Sequence, residues 1–246
     1  MAHYQQLEFV QKTKEMFPEF FRDKRVLEIG SWDTNGTVRN LFEGGTYLGV
    51  DVSPGPGVDL VRLGNELDEP SESFDVVISC ECFEHNPLWL ETFTNMIRVL
   101  KKDGLCIITC ATTGRIEHGT PRSNPLDSLA NIENVYHYYR NLDASDFQKR
   151  IDLKLHFKDH FFANNIFHCD LFFVGQKKGS PLTRDFQDKL SSLYKQAIDI
   201  STEKPPTTNE RRSAYYRYLR NRLIASTIGE EVLHNYRHAR NVRQRK

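Results

Sequence analysis

The chain has 246 residues, 39% of them hydrophobic, with 33 Lys and Arg balanced by 33 Asp and Glu. A chain of that length buries about 70–75% of its unfolded surface, so one main domain with its own core is expected, with chain to spare for a second small element. Zero net charge excludes a global field drawing nucleic acid or a membrane surface, and a mean hydropathy of −0.57 with no long apolar run excludes a membrane span or an export leader.

Residues 5–21 place Leu7, Val10, Lys14 and Phe17 at helical spacing, and Pro18 ends or kinks that helix. Val26-Leu27-Glu28-Ile29 then reads as a buried parallel strand stopping at Gly30. Ser31 to Gly36 is short, polar and Gly-type, suited to a turn whose amides cradle a phosphate or carboxylate. Thr37 to Phe42 is expected to be a short helix ended by Gly44-Gly45, and Tyr47 to Val50 a second strand ending at Asp51. Asp51 lies 21 residues beyond Gly30, close to the spacing at which a strand-2 carboxylate grips a ribose hydroxyl pair. Trp32 occupies the position where a dinucleotide fold needs its second glycine. A nucleoside ligand without a pyrophosphate therefore fits better than NAD.

The six residues after Asp51 leave no room for a helix, so a stiff turn and a short strand over 58–61 are expected, followed by a loop from Leu63 to Glu72. Phe74 to Ser79 is a further buried strand, and its carboxyl end, Ser79 to His85, falls where doubly wound folds bind ligands. Pro87 to Lys102 carries Leu88, Leu90, Phe93, Ile97 and Leu100 as a helical stripe, with Gly104 as its stop. Leu105 to Ala111 is the next strand, and Thr112 to Asn134 a polar loop of the length that usually carries function. Asp143 caps a helix running to Ile151, and Leu153–Phe162 with Asp170–Lys177 form an antiparallel pair joined at Asn164-Asn165. Phe186 to Ile200 is amphipathic, residues 201–209 form a linker, and Glu210 to Lys246 form a basic helical stretch. From Lys204 onward eleven Lys and Arg face three Glu. Tyr215, Tyr216, Tyr218, Leu219, Leu223 and Ile224 give that stretch an apolar component suited to partner docking or self-association, whereas no nucleic-acid motif is present. The five cysteines, Cys80, Cys82, Cys106, Cys110 and Cys169, read as reduced thiols of a cytoplasmic protein.

Three segments, VLEIGSWDTNG, GVDVSPGPGVDL and FDVVISCECFEHNPLWLETFTNMIRVLKKDGLCIIT, resemble the class I S-adenosylmethionine-dependent methyltransferases in order and spacing. The likeness spans Arg25 to Ala111, and more loosely reaches Lys177. The glycine loop departs from the family's E/D-x-G-x-G-x-G, reading Glu28-Ile29-Gly30-Ser31-Trp32-Asp33-Thr34. The resemblance implies an α/β, Rossmann-like, doubly wound seven-stranded sheet, mostly parallel with an antiparallel C-terminal hairpin. It implies a methyltransferase domain over residues 1–178 and a helical basic extension over 179–246. S-adenosyl-L-methionine is the implied cofactor, held by Glu28, Gly30, Ser31, Trp32, Gly36, Asp51, Val52, Leu63, Gly64 and Cys80. ATTGRIEHGT and YYRNL further resemble methyltransferases of bacterial surface-polysaccharide and glycan pathways. They suggest a hydroxyl of a sugar or glycan precursor as acceptor, with nitrogen, carbon or a carboxylate as alternatives, or a domain that binds without turnover.

An alcohol acceptor must lose a proton, and His118 is the preferred general base, followed by His85 and Glu117. Tyr136, His137, Tyr138 and Arg140 are expected along the acceptor pocket. His85, His118 and His137 with Glu84 or Asp127 match no recognised ligand spacing, so no metal is predicted.

Overall fold

A computed structural model describes residues 3–133, 135, 137–201, 206–232 and 234–235. Tyr136, expected in the acceptor pocket, and the basic residues Arg237 to Lys246 lie outside the described residues. Seven strands form one sheet: β1 (Arg25–Ile29), β2 (Thr46–Asp51), β3 (Leu60–Val61), β4 (Phe74–Cys80), β5 (Leu100–Ala111), β6 (Phe157–Asn165) and β7 (Asp170–Lys177). Their order is β3-β2-β1-β4-β5-β7-β6. The first five run parallel, while β7 is antiparallel to both β5 and β6. This is the Rossmann-like sheet with the antiparallel C-terminal pair that the sequence implies. Strand order reverses between β1 and β4, and such a switch point opens a crevice at the carboxyl ends of the strands.

The central strands are apolar on both faces because both are covered; Val76, Val77 and Ile78 of β4 have no exposed surface. One face packs Leu27, Ile29 and Val77 against Phe93 and Met96. The other packs Val26, Val76 and Ile78 against α1 (Tyr4–Met16), which contributes Phe9 and Val10. Phe9 stacks on Phe172 of β7 with ring centres 4.3 Å apart. The buried face of α1 also holds Gln5, Gln6 and Thr13, while Leu7 and Lys14 are only half-buried, and Pro18 opens a 3-10 turn rather than a further helical turn.

Several expected elements differ. Thr37 to Phe42 forms only a 3-10 turn, Arg39–Leu41, because the Arg39 guanidinium is drawn to Asp59 (2.9 Å) and the chain must turn back at once. That reversal is made at Gly44 and Gly45, both with positive φ; a Cβ on Gly45 would sit 2.1 Å from the Lys24 carbonyl oxygen. The helix after β4 is α2 (Trp89–Val99), buried through Trp89, Phe93, Met96 and Ile97, with Leu88 exposed. It ends at Val99, since Leu100 already pairs with Phe74, so Gly104 lies inside β5 and stops no helix. Among the described residues the segment after β5 contains a 3-10 turn, Pro125–Asp127, and a short helix, α3 (Leu129–Ile132).

Asp143 caps α4 (Ala144–Gln148) through a capping box with Asp146. Leu153–His156 is a helical turn, α5, so β6 starts at Phe157. Asn164 and Asn165 belong to β6, and the turn to β7 is made by residues 166–169, with Cys169 left-handed at φ 62.

Helix α6 (Arg184–Ala197), capped by Thr183, buries Phe186, Leu190 and Leu193 in the same cluster as α1. Helix α7 (Thr208–Ile228) is capped by Thr207 and Glu210 and buries Ala214, Tyr218 and Asn221. Part of the apolar component expected to dock a partner therefore packs on this chain, while Tyr215, Tyr216 and Leu223 stay exposed. No described helix is long and apolar enough to cross a membrane. No disulfide joins any of the five cysteines.

Candidate active site

The crevice at the switch point is a pocket walled by the carboxyl ends of β1, β2 and β4. Glu28, Gly30, Trp32, Asp51, Val52 and Cys80 line it. Ser31 and Gly36 line it as well, so eight of the ten residues expected at the cofactor are brought together. Leu63 and Gly64 are not. Gly64 is wedged against Thr92 and Ile29, and its carbonyl accepts from Asn95 Nδ2 at 2.8 Å. Residues 127–130, from the segment after β5, close that wall instead.

Gly30 has φ 82, and a Cβ there would sit 2.5 Å from the Cys82 Cβ. Only glycine fits between the ends of β1 and β4. Trp32 does not fill the crevice: its indole turns onto Gly55, whose Cβ would meet Cδ1 and Nε1 at 2.7 Å. The Asp51 carboxylate accepts from the amides of Trp32 (3.0 Å) and Val52 (2.7 Å), tying the first turn to the end of β2. Burial raises the Asp51 carboxyl above its ordinary value. Glu28 is buried, accepts from the Tyr47 hydroxyl at 2.8 Å, and is pushed by burial up to about 7.

Most amides of the Ser31–Gly36 turn are engaged internally, which corrects the expectation that they all face a ligand. Ser31 donates to Val50 O, Asp33 to Pro56 O and Gly36 to Asp33 Oδ1. Among the described residues the amides of Thr34 and Asn35 have no internal acceptor. They remain for a ligand carboxylate at the pocket rim, where Thr34 lies.

Beyond β4 the wall becomes charged. Glu81 adopts a left-handed conformation, φ 51, uncommon outside glycine and concentrated at functional sites. It lines the pocket with its carboxylate buried, 3.3 Å from His3 Nε2 and 3.9 Å from the Arg115 guanidinium. Asp170 at the start of β7 accepts from Arg115 at 3.1 Å and lies 3.5 Å from His3. Burial alone would lower the His3 imidazolium, yet the Glu81 and Asp170 carboxylates raise it to about 10. Burial opposes ionisation of Glu81, but His3 and Arg115 hold its carboxyl well below the usual range. Two carboxylates thus meet two cations. Sequence reasoning missed this network, whose members come from residues 3, 81, 115 and 170; the unassigned Glu81 in CECFEH was its only visible trace.

A second, uncharged group stands beside it on the 3-10 turn Phe83–His85. Glu84 is fully buried, and neither carboxylate oxygen has a hydrogen-bond partner. His85 is 7% exposed and lines the pocket with the Tyr138 backbone beside its ring, and neither ring nitrogen has a partner within hydrogen-bond geometry. His118 meets His85 edge-on with ring centres 4.9 Å apart, and its Nε2 lies 4.0 Å from Glu84 Oε1. Tyr139 packs on both rings. Burial, aided by the Glu81 charge, pushes Glu84 up to about 8. It lowers His118 to about 4 and His85 well below its ordinary value, so both imidazoles are neutral bases.

His118 does not itself line the pocket, and Glu117 is placed away from it. The Glu117 carboxylate is taken by Thr120 Oγ1 (2.6 Å) and the Arg122 guanidinium (2.7 Å). His137 and Arg140 are exposed and Tyr138 half-buried, none of them lining the pocket. Glu230, His234 and Asn235 reach over the loop that carries His118: Glu230 accepts from Asn141 at 2.8 Å, His234 Nδ1 from the Glu117 amide at 3.3 Å, and Asn235 from Arg122 at 2.7 Å.

The methyltransferase domain family matches residues 1–150. The chain belongs to that family. It is a methyltransferase, and S-adenosylmethionine is its methyl donor; the Gly30 cleft, the Asp51 carboxylate and the unpartnered buried Ser31 hydroxyl fit an adenosyl ligand. Among solved structures, phosphoethanolamine N-methyltransferase 2 of Haemonchus contortus, in complex with phosphomonomethylethanolamine and S-adenosylhomocysteine, is 18% identical with a TM-score of 0.51, covering 70% of this chain and 52% of that one. The 1,6-didemethyltoxoflavin-N1-methyltransferase of Burkholderia thailandensis is 15% identical with a TM-score of 0.48, covering 71% and 80%. The YcgJ protein of Bacillus subtilis is 15% identical with a TM-score of 0.48, covering 72% and 100%. No curated protein is similar enough in sequence to count as a relative.

Proposed function

We propose that this methyltransferase acts on a hydroxyl oxygen of a small, polar acceptor, a sugar or glycan precursor. One observation carries the reading: Glu84 and His85 present four buried polar atoms with no partner beside the pocket. Buried polar atoms left unpaired cost about 1–3 kcal/mol each, so the site favours an acceptor that brings hydrogen-bonding groups to them. An apolar acceptor would leave them orphaned.

When bound, S-adenosylmethionine supplies a methyl group already activated on a sulfonium. Asp51 would accept from the ribose hydroxyls, Glu28 would face the methionine amine, and Thr34 and Asn35 would meet the carboxylate. Holding acceptor and donor in line does most of the work of such a displacement. The acceptor oxygen gains the methyl and gives up its proton, and the neutral imidazoles of His85 and His118 are the bases in that wall, with His85 the one at the pocket surface. Five cysteines without a disulfide suit a reducing compartment, and on that ground we place the protein in the cytoplasm.

The test is release of S-adenosylhomocysteine across paired acceptor sets, hydroxyl compounds against amines of like size. Turnover confined to amines or carbon acids would overturn the oxygen assignment and leave the methyltransferase standing.

A further inference from the structure

No metal-ligand spacing is visible along the chain, yet the fold brings a candidate ligand cluster together. One carboxylate oxygen of Glu84 and one ring nitrogen each of His85 and His118 lie within 4.8 Å of one another. Some point therefore lies within about 2.8 Å of all three atoms, against typical zinc–ligand distances of about 2.0–2.2 Å, so small side-chain rotations close the gap.

The state of His118 adds an independent observation. Its Nδ1 lies 3.0 Å from the Ile116 carbonyl, which can only accept, so Nδ1 carries the proton and Nε2 keeps its lone pair towards Glu84. Metal-binding histidines are commonly fixed in this way, the far nitrogen donating to a carbonyl. Glu84 and His85 meanwhile hold buried atoms that nothing else satisfies.

We propose that Glu84, His85 and His118 bind one divalent first-row transition cation of the zinc class, open to the pocket through His85. Two imidazoles and one carboxylate are a recurrent set for such ions, and they leave coordination positions free for an acceptor oxygen. With the cation bound, His85 and His118 are its ligands and no longer bases, and the ion itself would lower the acceptor hydroxyl's pKa, which is what an oxygen nucleophile needs. That role rests on the function proposed above; binding of the ion does not.

The neighbouring trio His3, His168 and Asp170 is also compact, but it is not the site. The protonated His3 and the Arg115 guanidinium already bring to Asp170 and Glu81 the positive charge a metal would supply.

The experiment is calorimetric titration of the chelator-stripped, full-length chain with Zn2+, with S-adenosylmethionine binding measured in parallel. One Zn2+ per chain is expected, with affinity at least tenfold weaker in Glu84→Gln and in His118→Ala and unchanged in His168→Ala. Substituting Co2+ into the wild type should give ligand-field bands of nitrogen and oxygen ligation without the charge-transfer band of a thiolate, a readout that needs no variant to fold. Absence of Zn2+ binding, binding indifferent to both substitutions, or a thiolate spectrum would overturn the proposal. Cofactor binding retained alongside that failure would leave the proposed reaction untouched, whereas a metal-loaded protein that methylates only amines would sink the oxygen reading alone.

Discussion

Glu28→Gln isolates the electrostatics of the cofactor pocket. Glu28 sits one residue before the end of β1 with 5% of its surface exposed, and burial pushes its carboxyl from 4.5 up to about 7, opposed by the Tyr47 hydroxyl bond. The folded chain therefore keeps a proton that the unfolded chain has released above pH 4.5. This stabilises the fold fully below that value and is lost as pH rises through about 7. Between pH 5 and pH 8 the change amounts to about 2–3 kcal/mol. Glutamine copies the neutral acid in shape and still accepts from Tyr47, but cannot ionise. In urea titrations of the cofactor-free protein, the variant should match the wild type near pH 5 and be the more stable of the two by that amount near pH 8. Other buried acids titrate in both proteins, so the difference between them reports Glu28. A difference that stays constant from pH 5 to pH 8 would refute the assignment of Glu28 as a buried acid held neutral. If Glu28 faces the methionine amine as proposed above, the same variant should bind S-adenosylmethionine more weakly at pH 8, because it has no carboxylate to ionise.

Other substitutions probe the frame and the ligand grip. Asp51→Asn removes the charge we propose for the ribose and should weaken S-adenosylhomocysteine binding tenfold to a hundredfold by calorimetry, from about 1.5–3 kcal/mol of charged hydrogen bonding; an unchanged Kd would displace the ribose from this strand end. Gly30→Ala drives a Cβ to 2.5 Å from Cys82 and strains a left-handed backbone, so a loss of about 2–4 kcal/mol in urea unfolding is expected, and a neutral result would contradict the close approach of β1 to β4. Asp143→Ala strips the cap of α4 and the acceptor of Thr112 Oγ1 (2.6 Å) and Thr113 Oγ1 (2.7 Å); about 2 kcal/mol of stability should go, with S-adenosylhomocysteine affinity preserved.

The sheet was legible because its signals are local. Apolar runs bounded by Gly30, Asp51 and Ala111 marked β1, β2 and β5, and Gly30 and Asp51, singled out by their spacing, line one pocket at the strand ends. Boundaries failed where tertiary contacts overrule local preference. Arg39 is drawn to Asp59 across the crossover, and Leu100 is drawn into β5 by Phe74, so one expected helix shrinks to a single turn and another ends early. Leu63 and Gly64 were assigned to the adenine by position in the resemblance, but nothing in the sequence says that Gly64 must fit under Thr92.

The acceptor side was far less legible, and the reason lies in how it is built. Its charged network joins residue 3 to residues 81, 115 and 170, and its neutral wall joins residues 84 and 85 to 118. No periodicity or fixed spacing links such positions; only the closing of the sheet does. The two groups are adjacent yet electrically opposite. Paired carboxylates and cations make one self-sufficient, so Glu81 stays ionised under burial. The other lacks a bonded cation, so Glu84 and both histidines are driven neutral and keep unspent lone pairs. Unspent buried polarity is costly to keep, and a fold retains it where a ligand supplies the missing partner. The ion network therefore reads as the frame that fixes β4's end and the N-terminal helix, and the neutral wall beside it as the surface we propose for the acceptor.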